Sequence, residues 1–237
     1  MVLTYAGCLP EGALLRVAKP VAPIWLDAQA GLGLSDAGRV VEWQAHGGNA
    51  AARPVAANTR GTLCQDQALH FVAGENGGLT LPHAAPDLTT LTFAAILSPN
   101  LPEARTLLSL QVAGSEDYIF LSLQSMTLRL VQRGAEGEVT LTLPPDTRVP
   151  LLVIGALNRG AARLSVNLGP VVSGALPLPT GPADLFIGCR NGRGGMKNKL
   201  GSFDLTDVML WPGLDLLQAP LPEAVTTLWN KRCRLGL

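Results

Sequence analysis

The chain has 237 residues, a length that suits one large sandwich or barrel domain, and its 18 Lys and Arg residues balance 18 Asp and Glu residues. Without a net charge to attract phosphate groups, the composition argues against DNA, RNA and anionic membranes as partners. Only 15% of the residues are charged, against about 25% in typical soluble domains. We therefore expect neighbouring chains to cover part of the surface, in a homo-oligomer or a larger assembly.

The N-terminal segment, residues 1–19, mixes proline and glycine with scattered Leu and Val residues. This pattern leaves open whether the segment is an arm that packs on another subunit or an edge strand of the same domain. Its first ten residues show neither the basic nor the apolar region of a signal peptide, and no run is as long as a bilayer span. We therefore expect a protein that is made in the bacterial cytoplasm without a signal peptide and does not insert into a membrane.

Residues 20–215 show the pattern of one β-sandwich. Residues 31–61 are poor in aliphatic side chains and are expected to be irregular, with one short strand at 39–44. From Thr62 onward, short runs rich in Leu, Val, Ile and Thr follow one another, separated by proline, glycine or charged residues. Many short strands without a long amphipathic helix between them indicate an antiparallel sandwich. The predicted strands are residues 91–97, 106–112, 118–123, 127–132, 138–143, 151–157, 162–167 and 171–176.

Alternation of apolar and polar residues indicates how these strands face the core. In residues 127–133 and 139–143 apolar and polar residues take turns, so one face of each strand is expected to be buried. The run at residues 151–156 is apolar on both faces, and it is therefore predicted to be a central strand.

The segment at residues 183–212 holds two apolar runs, 185–188 and 203–211, on either side of a loop rich in Gly, Arg, Asn and Lys. The two runs are predicted to be strands and the loop to be exposed. Within the second run the alternation slips once, at residues 204–207. Such a slip indicates a β-bulge in a strand that has one buried face.

The C-terminal segment, residues 216–237, contains the single helical candidate, at residues 221–232. A proline stands at its first turn, and apolar residues recur at helical spacing. These residues are Leu221, Val225, Leu228 and Trp229. We expect the helix either to close the sandwich or to contact a partner.

Three motifs follow one another along the chain. They are Trp-Leu-Asp-Ala at 25–28 with Gly38, Val40 and Trp43, Ala-Leu-His-Phe at 68–71 with Gly-Gly-Leu at 77–79, and Ile-Gly at 187–188 with Gly-Ser-Phe-Asp-Leu at 201–205 and Trp211. In this order they resemble concanavalin A-like jelly rolls of the laminin-G and pentraxin kind, including those of phage and gene-transfer-agent particle proteins. With the strand pattern, the resemblance implies an all-β fold, an antiparallel two-sheet jelly-roll sandwich with a short C-terminal helix. The last motif would form its closing hairpin.

The resemblance also implies a function. We expect a non-catalytic module that binds a glycan or polysaccharide of a host cell surface, as a spike or fibre subunit of a virion or phage-like particle. A purely structural assembly subunit and a divergent glycoside hydrolase stay open as alternatives. Glycosidases of this superfamily carry carboxylates at E-x-D-x-x-E spacing on one strand, and this chain lacks that pattern. The protein is therefore predicted not to be an enzyme.

No motif indicates a cofactor. His46, His70 and His83 lack the spacing of zinc ligands and are expected to be structural. Cysteines 8, 64, 189 and 233 lie far apart and are expected to be free thiols. Calcium, which many laminin-G and pentraxin-like domains hold at a sheet rim, stays an open alternative. The loop carboxylates that could bind it are Asp27, Asp36, Asp66, Asp117 and Asp184.

The loop at residues 190–199 is the candidate ligand site. Most aromatic residues fall within predicted strands, and only Tyr5, Tyr118 and Trp229 are candidates to stack on a sugar. A glycan is therefore expected to bind through hydrogen bonds and charge, which favours an anionic sugar. A solvated loop or a subunit contact is the alternative. The residues predicted to bind the glycan are Arg190, Asn191, Arg193, Lys197, Asn198 and Lys199.

Overall fold

The computed structural model describes residues 23–100, 104–134, 136–147, 149–194, 197–218 and 221–235, without the side chains of 234 and 235. The predicted N-terminal arm and Tyr5 lie outside these residues. In the described part of the chain no helix is long and apolar enough to cross a membrane. The strands and helices in chain order are β1 (Ile24–Asp27), β2 (Leu32–Leu34), β3 (Val40–Gln44), β4 (Ala51–Pro54), β5 (Leu63–Gln65), β6 (Ala68–Phe71), β7 (Leu79–Ala85), β8 (Thr90–Pro99), β9 (Arg105–Val112), β10 (Tyr118–Gln124), β11 (Thr127–Gln132), β12 (Glu138–Thr142), β13 (Leu151–Asn158), β14 (Ala161–Val166), β15 (Val172–Ala175), β16 (Ala183–Ile187), a 3₁₀ turn (Lys197–Lys199), β17 (Phe203–Pro212) and α1 (Glu223–Leu235).

The strands form two antiparallel sheets. The eight-stranded sheet has the order β15-β14-β13-β8-β17-β6-β5, with β1 paired to β17, and the nine-stranded sheet has the order β12-β11-β10-β9-β16-β7-β4-β3-β2. Apolar side chains of both sheets interdigitate in one buried core, for example Leu97 and Val153 from the first sheet and Leu110 and Leu185 from the second. The prediction of an all-β two-sheet sandwich is confirmed.

The central strand β13 is buried on both of its faces, as its sequence predicts. It pairs with β8 on one side and β14 on the other. Gly155 faces Phe93 across this pair, and a Cβ at position 155 would lie 2.1 Å from the ring. Glycine is therefore required at this position, because a methyl group would overlap the aromatic ring.

The predicted bulge in β17 is also confirmed. The register of β17 against β8 shifts between Leu205 and Asp207, which lie opposite Leu97 and Ile96. The extra residue lets Leu205 and Val208 both reach the core despite the break in alternation.

Helix α1 covers the outer face of the eight-stranded sheet. Along β8, Ala95 and Leu97 face the other sheet, whereas Ala94 and Ile96 contact the helix residues Val225 and Trp229. This second layer explains why the central strands are apolar on both faces. Trp229 is only 7% exposed, so the prediction that it is available to a sugar is wrong.

The prediction that residues 31–61 contain only one short strand is wrong. Residues 31–61 contain β2 and β4 as well as β3, and these short strands form one edge of the nine-stranded sheet. The Gly and Ala residues of these strands show little apolar alternation in the sequence. The strands pair nevertheless, because backbone hydrogen bonds join them.

The last two strands do not form a hairpin. Strand β16 lies between β9 and β7 in one sheet, and β17 lies between β8 and β6 in the other. Both strands carry an apolar inner face, and these faces bury each other when the strands occupy opposite sheets. The chain between these two strands therefore passes from one layer of the sandwich to the other.

Candidate functional site

The connection from β16 to β17 begins on the outer face of the nine-stranded sheet. Phe186 points away from the core, because its neighbours Leu185 and Ile187 point into it. It forms a small apolar cluster with Val55, Cys189 and Leu200. The backbone N–H of Gly188 donates to the carbonyl of Leu107 over 2.8 Å, and that of Gly74 to Leu200 over 3.1 Å. Both ends of the connection are thus anchored.

Arg190 is held against the sheet. Its guanidinium carbon lies 3.8 Å from the centroid of the Phe120 ring, a cation–π contact. Its Nε also donates to Oγ1 of Thr106 over 3.2 Å. Arg190 therefore positions the start of the loop, and its charge is already engaged by the protein.

Arg193 is paired with a carboxylate from another loop. Its Nη2 lies 2.9 Å from Oε1 of Glu116, whose Oε2 accepts a hydrogen bond of 3.2 Å from Arg133. The hydrogen bond and charge of Arg193, followed by those of Arg133, hold the pKa of Glu116 below its ordinary value. Arg133 also lies over Tyr118, which is only 7% exposed. The prediction that Tyr118 is open to a sugar is therefore wrong.

The two asparagines differ in role. Oδ1 of Asn191 accepts the backbone N–H of Arg193 over 3.0 Å and so shapes the turn. Asn198 is exposed in the 3₁₀ turn, between exposed Lys197 and half-buried Lys199. Neither lysine has an ion-pair partner among the described residues. The structure thus separates these two unpaired cations from the two engaged arginines.

Lys197 borders a pocket of about 480 Å³ that we call the rim pocket. Two other loops, residues 57–60 and 73–76, provide the rest of its wall. Its polar and charged lining residues are Thr59, Arg60, Glu75, Asn76 and Lys197. Nη1 of Arg60 lies 2.5 Å from Oε1 of Glu75, so the wall includes an exposed ion pair.

Asn76 completes the polar wall of the rim pocket. Its Oδ1 accepts the backbone N–H of Gly78 over 2.9 Å, while its buried Nδ2 has no acceptor among the described residues. Sequence reasoning missed Arg60, Glu75 and Asn76 because they lie on loops far from residue 197. The only local signal was the turn-forming run Gly-Glu-Asn-Gly-Gly at 74–78.

Comparisons with known proteins identify the fold. No protein-family model and no curated protein matches the chain. Trypanosoma rangeli sialidase in complex with 2,3-difluoro-KDN matches with a TM-score of 0.55 and 18% identity, over 81% of this chain and 30% of the sialidase. The binding domain of botulinum neurotoxin serotype D/C VPI 5993 matches with a TM-score of 0.55 and 11% identity, over 89% of this chain and 52% of the toxin domain.

A looser match is mouse laminin α1 chain LG4-5, with a TM-score of 0.46 and 17% identity, over 60% of this chain and 41% of that chain. The fold shared with the sialidase and the toxin binding domain is a concanavalin A-like jelly roll. This chain spans less than a third of the sialidase and about half of the toxin domain. At these identities the matches show a shared fold and do not decide whether the protein is catalytic.

The side chains of two histidines, His46 and His70, have structural partners. Nδ1 of His70 lies 2.5 Å from Oδ1 of Asp204, and its Nε2 lies 3.2 Å from the carbonyl oxygen of Gln65. His46 stacks on Trp25 with ring centroids 4.3 Å apart. The structural role predicted for His70 is confirmed.

No group of three or more His, Cys, Asp or Glu side chains in the described ranges could hold a metal ion. Of the carboxylates considered for calcium, Asp27 and Asp184 lie in strands β1 and β16 and not in the predicted loops. Several of these carboxylates have protein partners. Asp184 accepts the N–H of His83 over 2.8 Å, Asp117 accepts the hydroxyl of Ser115, and Asp27 binds Arg232.

One pair of carboxylates does converge in the jelly roll. Asp27 in β1 and Asp207 in β17 both accept hydrogen bonds from Arg232, with Nη2 at 2.7 Å from Asp27 and Nε at 2.9 Å from Asp207. Both acids are buried, and the single guanidinium offsets one of their two negative charges. They hold the helix to the sheet and are not placed to transfer protons to a sugar in solvent.

Proposed function

We propose that this chain is a non-catalytic module that binds a glycan or cell-surface polysaccharide on the face that carries the 190–199 loop. The observation that supports the proposal is the rim pocket with unpaired Lys197 at its border and Lys199 close by. Hydroxyl, amide and charged groups in a concave site suit the many hydroxyls of a sugar. The similar toxin structure is described as a binding domain, which agrees with this role.

The second candidate is a divergent glycoside hydrolase, which the sialidase matches keep open. Acid and base catalysis of glycoside cleavage ordinarily requires two carboxyl groups beside the sugar. The described lining of the rim pocket contains one, Glu75, and Arg60 is bound to it. This difference favours binding over hydrolysis.

The direct test is glycan-array binding of the intact chain. We expect binding by the unmodified protein and its loss in the double variant Lys197→Ser, Lys199→Ser. Lys231→Ser is the matched control, since this exposed lysine lies on α1, across the sandwich from the loop. Equal binding by all three proteins would show that the glycan binds at another site. Release of sugar from a bacterial polysaccharide would establish that the protein is a hydrolase.

We further propose that the module works within an assembly, as a spike or fibre subunit of a virion or phage-like particle that displays it to a host cell. The low share of charged residues supports this role. So do Leu34 and Val41, which are 47% and 52% exposed on neighbouring strands at the edge of the nine-stranded sheet. A purely structural subunit would have the same features but would not bind a glycan.

Assembly can be tested by light scattering at micromolar concentration. We expect a particle larger than one 24.8 kDa chain, and a shift toward the monomer for the double variant Leu34→Lys, Val41→Lys. A fully soluble monomer in the absence of any other protein would contradict self-assembly.

A further inference from the structure

We infer that the rim pocket binds a carboxylated sugar, and that Glu75 occupies the place of the ligand carboxylate in the free protein. The inference rests on the proposed function and narrows it to one ligand class and one pocket. It starts from the ion pair between Arg60 and Glu75, whose side chains are 72% and 43% exposed. An ion pair this exposed contributes little to stability and can be opened at low cost.

The charges around the pocket favour an anion. Arg60 and Lys197 contribute two positive charges, and Glu75 contributes the single negative charge among the described lining residues. One positive charge is therefore left over in the free protein. A ligand with one carboxylate balances it, whereas a neutral sugar leaves Lys197 without a counter-charge.

The lining also argues against a neutral sugar. No aromatic side chain is among the described residues that line the pocket, so the apolar face of a pyranose has no ring on which to stack. The volume of about 480 Å³ lies within the range of small-ligand sites. A ligand here depends on charge and hydrogen bonds, for which Thr59 and Asn76 supply polar groups.

Binding then proceeds by exchange of carboxylates. The ligand carboxylate takes the place of Glu75 on the planar guanidinium of Arg60, where two parallel hydrogen bonds are available. Lys197 adds a second positive charge from the 190–199 loop. Glu75 turns to solvent, and its negative charge no longer competes for Arg60.

The test uses titration calorimetry to compare the binding of methyl glucuronoside and methyl glucoside. These ligands differ only in that the glucuronoside has a carboxylate where the glucoside has a hydroxymethyl group. We expect tighter binding of the glucuronoside to the unmodified chain. Glu75→Gln, which removes the competing carboxylate, should raise that affinity about two- to fivefold, the scale of an exposed ion pair. Lys197→Ser should lower it by a similar factor, and Lys231→Ser should leave it unchanged.

The outcomes separate this inference from the proposed function. Binding of neutral glycans alone, or no gain in the Glu75→Gln variant, would overturn the inference and leave the binding function standing. Absence of binding to any glycan on the array would overturn both. All three substituted side chains are exposed, so each variant is expected to fold, and melting curves check this.

Discussion

The guanidinium of Arg232 on α1 binds the carboxylate of Asp207 on β17, with Nε and Oδ2 2.9 Å apart. The two side chains are 1% and 0% exposed. Trp25 donates to the same carboxylate over 3.1 Å, and Nη2 of Arg232 donates to both Asp27 and Asp207. Burial alone would lower the pKa of Arg232, but the hydrogen bond and charge of Asp207, and then of Asp27, raise it. Arg232 therefore stays charged and joins the helix to the sheet.

We predict that Arg232→Met lowers the free energy of unfolding by about 3–5 kcal/mol, because two buried carboxylates lose their counter-charge. Urea unfolding measures the effect. Lys231→Met, an exposed neighbour on the same helix, should change stability by less than about 0.5 kcal/mol. Equal stability of both variants would show that the pair does not hold the helix. Replacing Asp27 and Asp207 by Asn in the Arg232→Met chain should recover part of the loss.

Substitutions within the 190–199 loop should distinguish Arg190, which positions the loop, from Lys197, which borders the rim pocket. Arg190→Ser removes a cation–π contact and a hydrogen bond, so we expect it to cost about 1–2 kcal/mol of stability. Lys197→Ser should cost less than about 0.5 kcal/mol, because the side chain is exposed. Chemical denaturation of the two single variants measures both values. Similar costs at the two positions would contradict the assignment of Arg190 as a positioning residue.

The loop should also respond to acid. Arg193 and Arg133 lower the folded-state pKa of Glu116. Their ion pairs with Glu116 therefore contribute to stability at pH values above the ordinary Glu pKa of about 4.3. This contribution is lost as the pH falls through the lowered folded-state pKa. An NMR titration of the Glu116 carboxyl should therefore show a midpoint below 4.3, the ordinary value. Arg193→Ser should raise that midpoint, and Arg53→Ser, whose partner is Glu42, should not. An unchanged midpoint in Arg193→Ser would contradict the pairing.

The thiols should differ in reactivity. Burial raises the pKa of Cys189 to about 12, despite a backbone hydrogen bond from Asn191 that lowers it. Cys233 is exposed, and burial raises its pKa less than that of Cys189. In a chain with Cys8 and Cys64 replaced by Ser, we expect a disulfide reagent at pH 8 to modify one thiol rapidly and the second only on unfolding. Rapid modification of both would show that the cluster beneath the loop opens readily.

Much of the fold could be predicted from local pattern alone. The alternation at residues 127–132 identified a strand and its buried face, and the slip at 204–207 identified the bulge, because side chains on a strand alternate with period two. The doubly apolar run at 151–156 indicated a central strand. The spacing of Val225 and Trp229 indicated the apolar face of the helix. Each of these signals lies within a few consecutive residues.

The candidate site depended on contacts that no local pattern contains. Arg190 and Lys197 look alike in the sequence, yet one lies over Phe120 and the other borders the rim pocket. Arg193 meets Glu116 from a loop 77 positions away, the difference between the two residue numbers. Local sequence determined which segments are strands and that the loop carries positive charge. Only the tertiary structure decided which charges are already paired, because that depends on which distant loops the two sheets bring together.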